Sequence, residues 1–195
     1  MSIILDRNKI LDASVAVIAK HGFRKASLTD IARPLGVAKT ALYYHFPGGK
    51  QELLHAVIQR EEDIILEEMR RAVVSQEDPR KQLRSLILAK LIHFHRLREL
   101  FDVIIDVGEE LFKIYSEHKT AFQTAEREMI QDIFQTGQKL NMFKPSSNIM
   151  RLASSIQSVL HHLELPLVFN SREDMEKEID ELLEILFYGI AVKQN

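Results

Sequence analysis

The chain contains the segment Ser27-Leu-Thr-Asp-Ile-Ala-Arg-Pro-Leu-Gly-Val-Ala-Lys-Thr-Ala-Leu-Tyr-Tyr-His-Phe46, whose pattern predicts two short helices joined by a tight turn. The second helix opens with small and basic residues and ends in aromatic ones. A helix of this kind suits the major groove of DNA, where its first residues reach base edges. The segment therefore predicts a helix-turn-helix in the N-terminal quarter of the chain.

Local signals fix the boundaries of these two helices. Ser27 and Asp30 have the spacing of a capping box, so a helix begins at Ser27. Pro34 removes a backbone donor and crowds the turn before it, so this helix ends or distorts just before Pro34. Gly36 suits a positive φ in the turn. The next helix is predicted over about residues 39–45.

Most of the remaining sequence follows a helical period, so we expect an almost all-α protein of about nine helices. Further helices are predicted at about 6–20, 50–74, 79–98, 100–115, 119–140, 147–168 and 171–192. We divide the chain into a helix-turn-helix domain of residues 1–50 and a helical domain of residues 51–195, with the helix at 50–74 connecting them.

The two parts differ in charge. Residues 1–50 contain eight Lys or Arg against three Asp, a net charge of +5, whereas residues 51–195 contain 18 bases and 25 acids, a net charge of -7. A basic N-terminal part on an acidic remainder is expected when only the former meets a polyanion. The charge distribution therefore agrees with DNA binding by the first domain.

Several classes of function are excluded or disfavoured. The chain has no cysteine, which excludes disulfides, thiolate metal sites and cysteine nucleophiles. It shows no signal-peptide core and no apolar run near the ~18 residues of a membrane span, so we expect a cytoplasmic protein without a membrane partner. No nucleophile elbow or phosphate-binding glycine motif occurs, so we expect no enzymatic activity and no cofactor. The eight histidines are poorly spaced for a shared metal, and we predict no metal site.

The chain resembles the TetR family of transcriptional repressors over about Ile10 to Val57. The matching positions are Ile10, Ala13, Gly22-Phe23, Ser27-Leu-Thr-Asp-Ile-Ala32, Leu35-Gly-Val37, Ala41-Leu-Tyr-Tyr-His-Phe46 and Lys50 through Leu54. The resemblance implies a homodimer whose two recognition helices read a palindromic operator in double-stranded DNA. It also implies an all-α C-terminal domain with a ligand cavity and a dimer interface built largely from the last two long helices.

The residues expected to contact DNA are Thr29, Lys39, Thr40, Ala41, Tyr43, Tyr44, His45 and Lys50. Lys39 can reach a guanine edge or a phosphate, while the small Thr40 and Ala41 let the helix approach closely. Tyr43 faces the groove in the matched family pattern, and Tyr44 and His45 are expected along the sugar-phosphate backbone. Thr29 and Lys50 lie where helix ends can clamp phosphates.

The C-terminal domain supplies the other candidate residues. Those expected to line a cavity for a small, hydrophobic effector are Phe94, His95, Phe101, Ile105, Phe112, Tyr115, Phe122, Gln157 and His161, with His95, Tyr115, Gln157 and His161 as polar anchors. Those expected at a dimer interface are Leu152, Ser155, Ile156, Val159, Leu163, Leu182, Leu183, Leu186 and Ile190.

The sequence thus predicts a dimeric repressor that a small ligand releases from its operator. Three alternatives stay open. The protein could be an activator or a repressor that no ligand controls. It could be a helical ligand-binding or carrier protein without regulated DNA binding. It could be a di-iron bundle enzyme, because Glu52-Leu-Leu-His55 matches one half of that motif.

Overall fold

The computed structural model describes the backbone of residues 6–96, 109–164 and 171–190, and the side chains in these ranges except those of 109–120, 162–164 and 189–190. The described ranges contain eight α-helices and no β-strand, which confirms the all-α fold class. The helices are α1 (Arg7–His21), α2 (Leu28–Ala32), α3 (Lys39–His45), α4 (Gly49–Val74), α5 (Pro79–Arg96), α6 (Glu109–Lys139), α7 (Ile149–Glu164) and α8 (Arg172–Ile190).

The chain divides into two compact units. Within the described residues, the first unit comprises 6–63, 96 and 109–119, and the second comprises 64–95, 120–164 and 171–190. We call residues 6–63 the head and the second unit the body. The division falls inside α4, between Asp63 and Ile64, whereas the sequence analysis placed it at residue 50. The first half of α4 contributes Leu54 and Val57 to the core of the head, and its second half contributes Met69 to the core of the body.

Local hydrogen bonds set the helix boundaries of the head. The Ser27 hydroxyl accepts from the Asp30 amide at 3.1 Å, and the Asp30 carboxylate accepts from the Ser27 amide at 3.2 Å, so the predicted capping box is confirmed. The Ser27 hydroxyl also donates to the Asp30 carboxylate at 2.6 Å, and this bond together with the one from the Ser27 amide lowers the pKa of Asp30. Helix α2 ends at Ala32, as the position of Pro34 predicts, and Gly36 turns the chain with φ 66°. These features place α3 immediately after a tight turn.

One predicted break between helices is absent. The sequence analysis placed separate helices at 100–115 and 119–140, but α6 runs without interruption from Glu109 to Lys139. The residues between the two predicted helices, 116–118, include no glycine or proline. Polar residues alone do not end a helix, because each of them still forms its backbone hydrogen bond to the preceding turn.

The end of α6 is shaped by a close contact between a glycine and an aromatic ring. The amides of Met142 and Phe143 both donate to the carbonyl of Gly137, at 2.8 and 3.1 Å. This turn folds the Phe143 ring back over Gly137. The centroid of the Phe143 ring lies 5.1 Å from that of Phe134, whose ring is tilted against it. It lies 5.7 Å from that of Phe187, and these two rings are stacked. Gly137 therefore leaves room for an aromatic cluster in the body.

A carboxyl group in α4 should make the stability of the protein depend on pH. Burial and the neighbouring Asp63 raise the pKa of Glu62 to about 7, from 4.5. The folded state holds the Glu62 proton more tightly than the unfolded state does. As the pH rises above 4.5, the carboxyl group ionises more readily in the unfolded state, so the free energy of unfolding falls. This decrease continues until the pH passes the folded-state pKa of about 7. Because the group is partly exposed, we expect Glu62→Gln to be more stable than the wild type by only about 1–2 kcal/mol at pH 8.

Urea unfolding of the two proteins at pH 5 and pH 8 measures this effect. The difference should be small at pH 5, where Glu62 is protonated in the folded state and only partly ionised in the unfolded state. The exposed Glu128→Gln is the matched control. The same stability difference at both pH values would contradict this account of Glu62.

Candidate nucleic-acid interface and effector site

Helix α3 presents one exposed face and one buried face. Leu42 and Phe46, one turn apart, are each only 1% exposed and pack in the core of the head. The opposite face is formed by Lys39, Thr40, Tyr43 and Tyr44, all of them exposed. Tyr44 is 85% exposed and Tyr43 is 42% exposed. Ala41 and His45 are half-buried at the margins of this face.

The Tyr43 ring lies close to Lys39 and to Gly49. The Lys39 ammonium lies 5.5 Å from the ring centroid, within the range of a cation–π contact. The ring also approaches Gly49, where an added Cβ would lie 3.4 Å from Cε1 of Tyr43. Gly49 also has φ 69°, a conformation that suits glycine. The first residue of α4 therefore leaves room for the tyrosine ring.

The other predicted contacts are arranged differently. Thr29 is exposed on the first turn of α2, and the half-buried His45 makes an edge contact with Tyr44 at 5.4 Å between centroids. The Lys50 side chain makes two contacts within the head. Its ammonium donates to the carbonyl of Arg24 at 3.3 Å and lies 4.3 Å from the centroid of the Phe23 ring, and burial lowers its pKa. A phosphate contact by Lys50 would compete with these two interactions.

Sequence reasoning missed the role of Glu52 at the start of α4. Its carboxylate accepts from the amide of Gly48 at 2.6 Å. The motif Glu52-Leu-Leu-His55 therefore begins with a carboxylate that caps a helix, which is an ordinary structural role. No group of three or more His, Asp or Glu side chains that could hold a metal occurs among the residues whose side chains are described.

The body brings three of the predicted effector residues to one buried cluster. Gln157 donates to the carboxylate of Glu126 at 2.8 Å, and Glu126 in turn pairs with Lys90 at 2.5 Å. Phe122 and Phe94 lie beside the Lys90 ammonium, with ring centroids 5.6 and 5.9 Å from it. The sequence analysis named Phe94, Phe122 and Gln157 but neither Lys90 nor Glu126.

The histidines of α5 lie on opposite sides of the helix. His93 is 1% exposed and its Nδ1 lies 2.9 Å from a carboxylate oxygen of Glu68. His95, which we had expected to line the cavity, is exposed instead, because residues two apart on a helix point to nearly opposite faces. His161 is half-buried on α7. The remaining predicted lining side chains, Phe101, Ile105, Phe112 and Tyr115, fall outside the described part of the chain.

The predicted dimer residues are divided between the core and the surface. Ile156 and Leu183 pack in the core of their own subunit and so offer no surface to a partner, while Leu152, Leu182 and Leu186 are half-buried. Ser155 and Val159 are exposed on α7. The side chains of Leu163 and Ile190 are outside the described set. Sequence reasoning missed two exposed apolar residues of α8, Ile185 and Tyr188, which are 74% and 85% exposed.

Together these features define the class of protein. A capped helix, a glycine turn and an outward-facing helix with a basic and aromatic surface form a helix-turn-helix DNA-binding domain. A second, all-helical unit follows it. In the described ranges no helix has the combination of length and apolar character that a membrane span needs.

Comparison with known proteins agrees with this class. Residues 10–57 match the family model described as bacterial regulatory proteins, tetR family. The HTH-type transcriptional activator FasR of Mycolicibacterium smegmatis is 36% identical over 83 residues, which are 43% of this chain and 37% of that protein. The HTH-type transcriptional repressor KstR2 of Mycobacterium tuberculosis is 22% identical over 147 residues, 73% of this chain and 72% of that protein.

A solved structure extends the similarity to nearly the whole chain. The crystal structure of a transcriptional regulator from Cytophaga hutchinsonii ATCC 33406 is 26% identical and has a TM-score of 0.73, covering 94% of this chain and 97% of that one. Residues 10–57 therefore match the DNA-binding domain of TetR-family regulators, and the chain as a whole is similar in fold to a transcriptional regulator. Its alignment with FasR spans well under half of that relative.

Proposed function

We propose that this protein is a dimeric transcriptional repressor that binds a palindromic operator through α3 and leaves it when a small, hydrophobic ligand binds in the body. The main support is the exposed face of α3, where Tyr44 is 85% exposed while Phe46, two residues on, is buried. A helix of seven residues with a bare outer face has little to contribute to the fold on that side. Insertion into a groove gives those side chains a partner.

The exposed residues suit particular contacts with DNA. Lys39 and Thr40 begin α3, the end of a recognition helix that reaches base edges. The Tyr43 hydroxyl, on a ring that lies close to Lys39 and Gly49, can donate to a base or a phosphate. Tyr44 can lie along the sugar-phosphate backbone, where it contributes affinity more than sequence preference.

Dimer formation would cover the apolar surface of the last two helices. Val159 on α7 is 51% exposed, and Ile185 and Tyr188 on α8 lie within one turn of each other and are more exposed still. A second copy of the chain would bury such a surface and supply the second recognition helix that a palindrome requires.

The proposed mechanism is a shift between two conformations. A ligand that binds more tightly to one conformation of the body favours that conformation, and the operator is released if its two α3 helices no longer fit successive half-sites. A ligand that bound both conformations equally would have no effect. The named relatives include both an activator and a repressor. Measuring the affinity for the operator as effector is added will show whether the effector weakens or strengthens DNA binding.

Selection of bound DNA from a random pool is the most direct test of the function. A palindromic consensus whose binding weakens steeply with salt would support the proposal. Failure to enrich any sequence would favour the alternative, a helical ligand-binding or carrier protein.

The Tyr43 contact leads to a prediction about affinity. We expect Tyr43→Ala to weaken binding to the selected operator by about 1–3 kcal/mol, because it removes a ring and a hydroxyl from the contact surface. Tyr43→Phe, which keeps the ring, separates the hydroxyl contribution from packing. Fluorescence anisotropy gives the affinities, and circular dichroism verifies that each variant is folded. Wild-type affinity in a folded, dimeric Tyr43→Ala protein would contradict the proposed contact.

The dimer surface leads to a second prediction. Ile185→Glu should shift the protein from dimer to monomer in analytical ultracentrifugation, since a carboxylate would have to be buried in an apolar interface. Leu140→Glu, a change at another apolar residue that is 56% exposed but outside the proposed interface, is the control. An Ile185→Glu protein that stays dimeric at micromolar concentration would place the interface elsewhere.

A further inference from the structure

A cation from another helix lies at the C-terminal end of α3. Arg7 is the first residue of α1, and its guanidinium carbon lies 4.6 Å from the centroid of the Phe46 ring. Phe46 is the residue that ends α3, where its amide donates to the carbonyl of Leu42 at 2.9 Å. The fold of the head therefore brings Arg7 to the end of the helix whose outer face carries Tyr43 and Tyr44.

The contact joins a buried ring to a surface charge. Phe46 is only 1% exposed, whereas Arg7 is exposed. A guanidinium beside a ring is held by the attraction between its charge and the π electrons, and this attraction does not use its N–H groups as donors. The ring therefore restricts a long side chain while leaving it the planar fork of donors that fits a phosphate.

Two other arginines of the head are paired with acids. Arg60 lies 2.7 Å from a carboxylate oxygen of Asp12, and Arg33 lies 3.2 Å from one of Asp30. Their charges are largely cancelled by these neighbours. Arg7 instead lies against an uncharged ring, so its contact with Phe46 leaves the positive charge in place.

The position of Arg7 does little for α1 itself. The N-terminal end of a helix carries partial positive charge, so a cation in the first turn is unfavourable there. The carboxylate of Asp6 already caps this end by accepting from the amide of Asn8 at 3.2 Å. At the C-terminal end of α3 the sign is reversed, and a cation beside it offsets the partial negative charge that would repel a phosphate. The placement of Arg7 thus suits an anion near the end of α3.

We propose that Arg7 contacts a DNA phosphate at the C-terminal end of α3. This inference rests on the proposed function, in which α3 enters a groove and Tyr44 lies along the sugar-phosphate backbone. Both ends of a helix in the major groove approach the strands that form its walls. Lys39 begins α3, and Arg7 adds a charged contact at the opposite end. The residue lies outside the matched segment 10–57, so the family model assigns it no role.

A phosphate contact contributes affinity that depends on salt and not on sequence. Each neutralised phosphate adds about 0.9 to the slope of log affinity against log salt concentration. Arg7→Met removes the charge while its side chain still covers the Phe46 ring, and it should reduce this slope by about 0.9. Between about 50 and 200 mM salt, the advantage of the wild type over the variant should therefore shrink about three- to four-fold. The loss should be equal on the selected operator and on an unrelated duplex.

Lys9→Met is the matched control. Lys9 is exposed on the same helix two residues further on, so it points to nearly the opposite side from Arg7. Both substitutions remove one positive charge, and a general effect of net charge would reduce both slopes alike. We expect the wild-type slope in Lys9→Met. An equal reduction in the two variants, or a wild-type slope in Arg7→Met, would overturn the proposal.

Further variants separate a DNA contact from support of the fold. Arg7→Lys keeps a cation beside the ring and should retain the wild-type slope on both duplexes. If Arg7 served only to position α3, Arg7→Met would weaken binding to the operator much more than binding to the unrelated duplex, and that result would overturn the proposal. Circular dichroism verifies that each variant is folded. If Arg7→Met is not, Arg7→Gln removes the same charge and should show the same reduced slope, and a wild-type slope in it would contradict the contact.

The DNA selection described above distinguishes the two levels of inference. A selected operator that wild type and Arg7→Met bind with the same slope overturns only the contact by Arg7. Failure to select any operator overturns the repressor function. A reduced slope of Arg7→Met on the unrelated duplex would then still support the phosphate contact.

Discussion

Replacing Gly137 with alanine should lower the free energy of unfolding of the body by about 2–3 kcal/mol. A Cβ at this position would lie 2.1 Å from Cδ2 and 2.4 Å from Cε2 of Phe143. The ring cannot move aside easily, because it is 2% exposed and packs against Phe134 and Phe187. Alanine is the better helix former by about 1 kcal/mol, but that gain is smaller than the cost of displacing a buried ring.

Urea unfolding followed by circular dichroism measures this effect, and a second substitution identifies its cause. Phe143→Leu replaces the ring with a smaller side chain and should itself be destabilising, because it leaves space in the core. In the double variant Gly137→Ala/Phe143→Leu the two costs should be less than additive, since the added methyl group then meets a smaller neighbour. Full additivity would show that steric overlap with Phe143 is not the reason.

The head could be predicted closely because its boundaries depend on short-range chemistry. Each boundary signal acts on residues no more than four positions away in the sequence. These signals are the capping box of Ser27 and Asp30, the end of the helix before Pro34 and the turn at Gly36. The outward orientation of α3 follows from the spacing of Leu42 and Phe46, the two residues that anchor it. Helix boundaries in this region agree with the predicted ones to within one or two residues.

Two contacts in the body were not predicted, and one of them joins residues far apart in the sequence. Lys90 and Glu126 are 36 residues apart, and nothing local pairs them. The sequence does contain a signal for a buried lysine, because Lys90 interrupts the apolar run of residues 86–92. A residue within such a run is expected to lie in a core. The contact of Gly137 with Phe143 had no such signal, since a glycine in a helical pattern does not show which ring approaches it.

The dimer surface illustrates a limit of periodicity. Apolar residues at helical spacing predict that a helix is buried along one stripe, but they do not distinguish the core of the subunit from a partner. Ile156 and Leu183 belong to the subunit core, and Val159 and Ile185 are exposed nearby in sequence. Helices α7 and α8 therefore carry apolar side chains on more than one face, and only the three-dimensional structure separates the face in the core from the exposed one.

Two aromatic residues at the end of α3 should respond to alanine in opposite ways. Phe46 is 1% exposed, and the Arg7 guanidinium lies 4.6 Å from its ring centroid. Phe46→Ala should cost about 3–5 kcal/mol, enough to unfold much of the head and abolish operator binding. Tyr44 is 85% exposed, so Tyr44→Ala should change stability by less than about 0.5 kcal/mol while it weakens operator binding.

Amide hydrogen exchange in α1–α3, measured beside operator affinity, separates these two outcomes. In Phe46→Ala, faster exchange throughout the head should accompany the loss of binding, because unfolding removes the whole surface at once. In Tyr44→Ala, exchange should stay at the wild-type rate while affinity falls, because only a contact with DNA has been lost. A Tyr44→Ala protein with a destabilised head would mean that this ring supports the fold, and α3 would then lack the bare outer face on which its entry into a duplex depends.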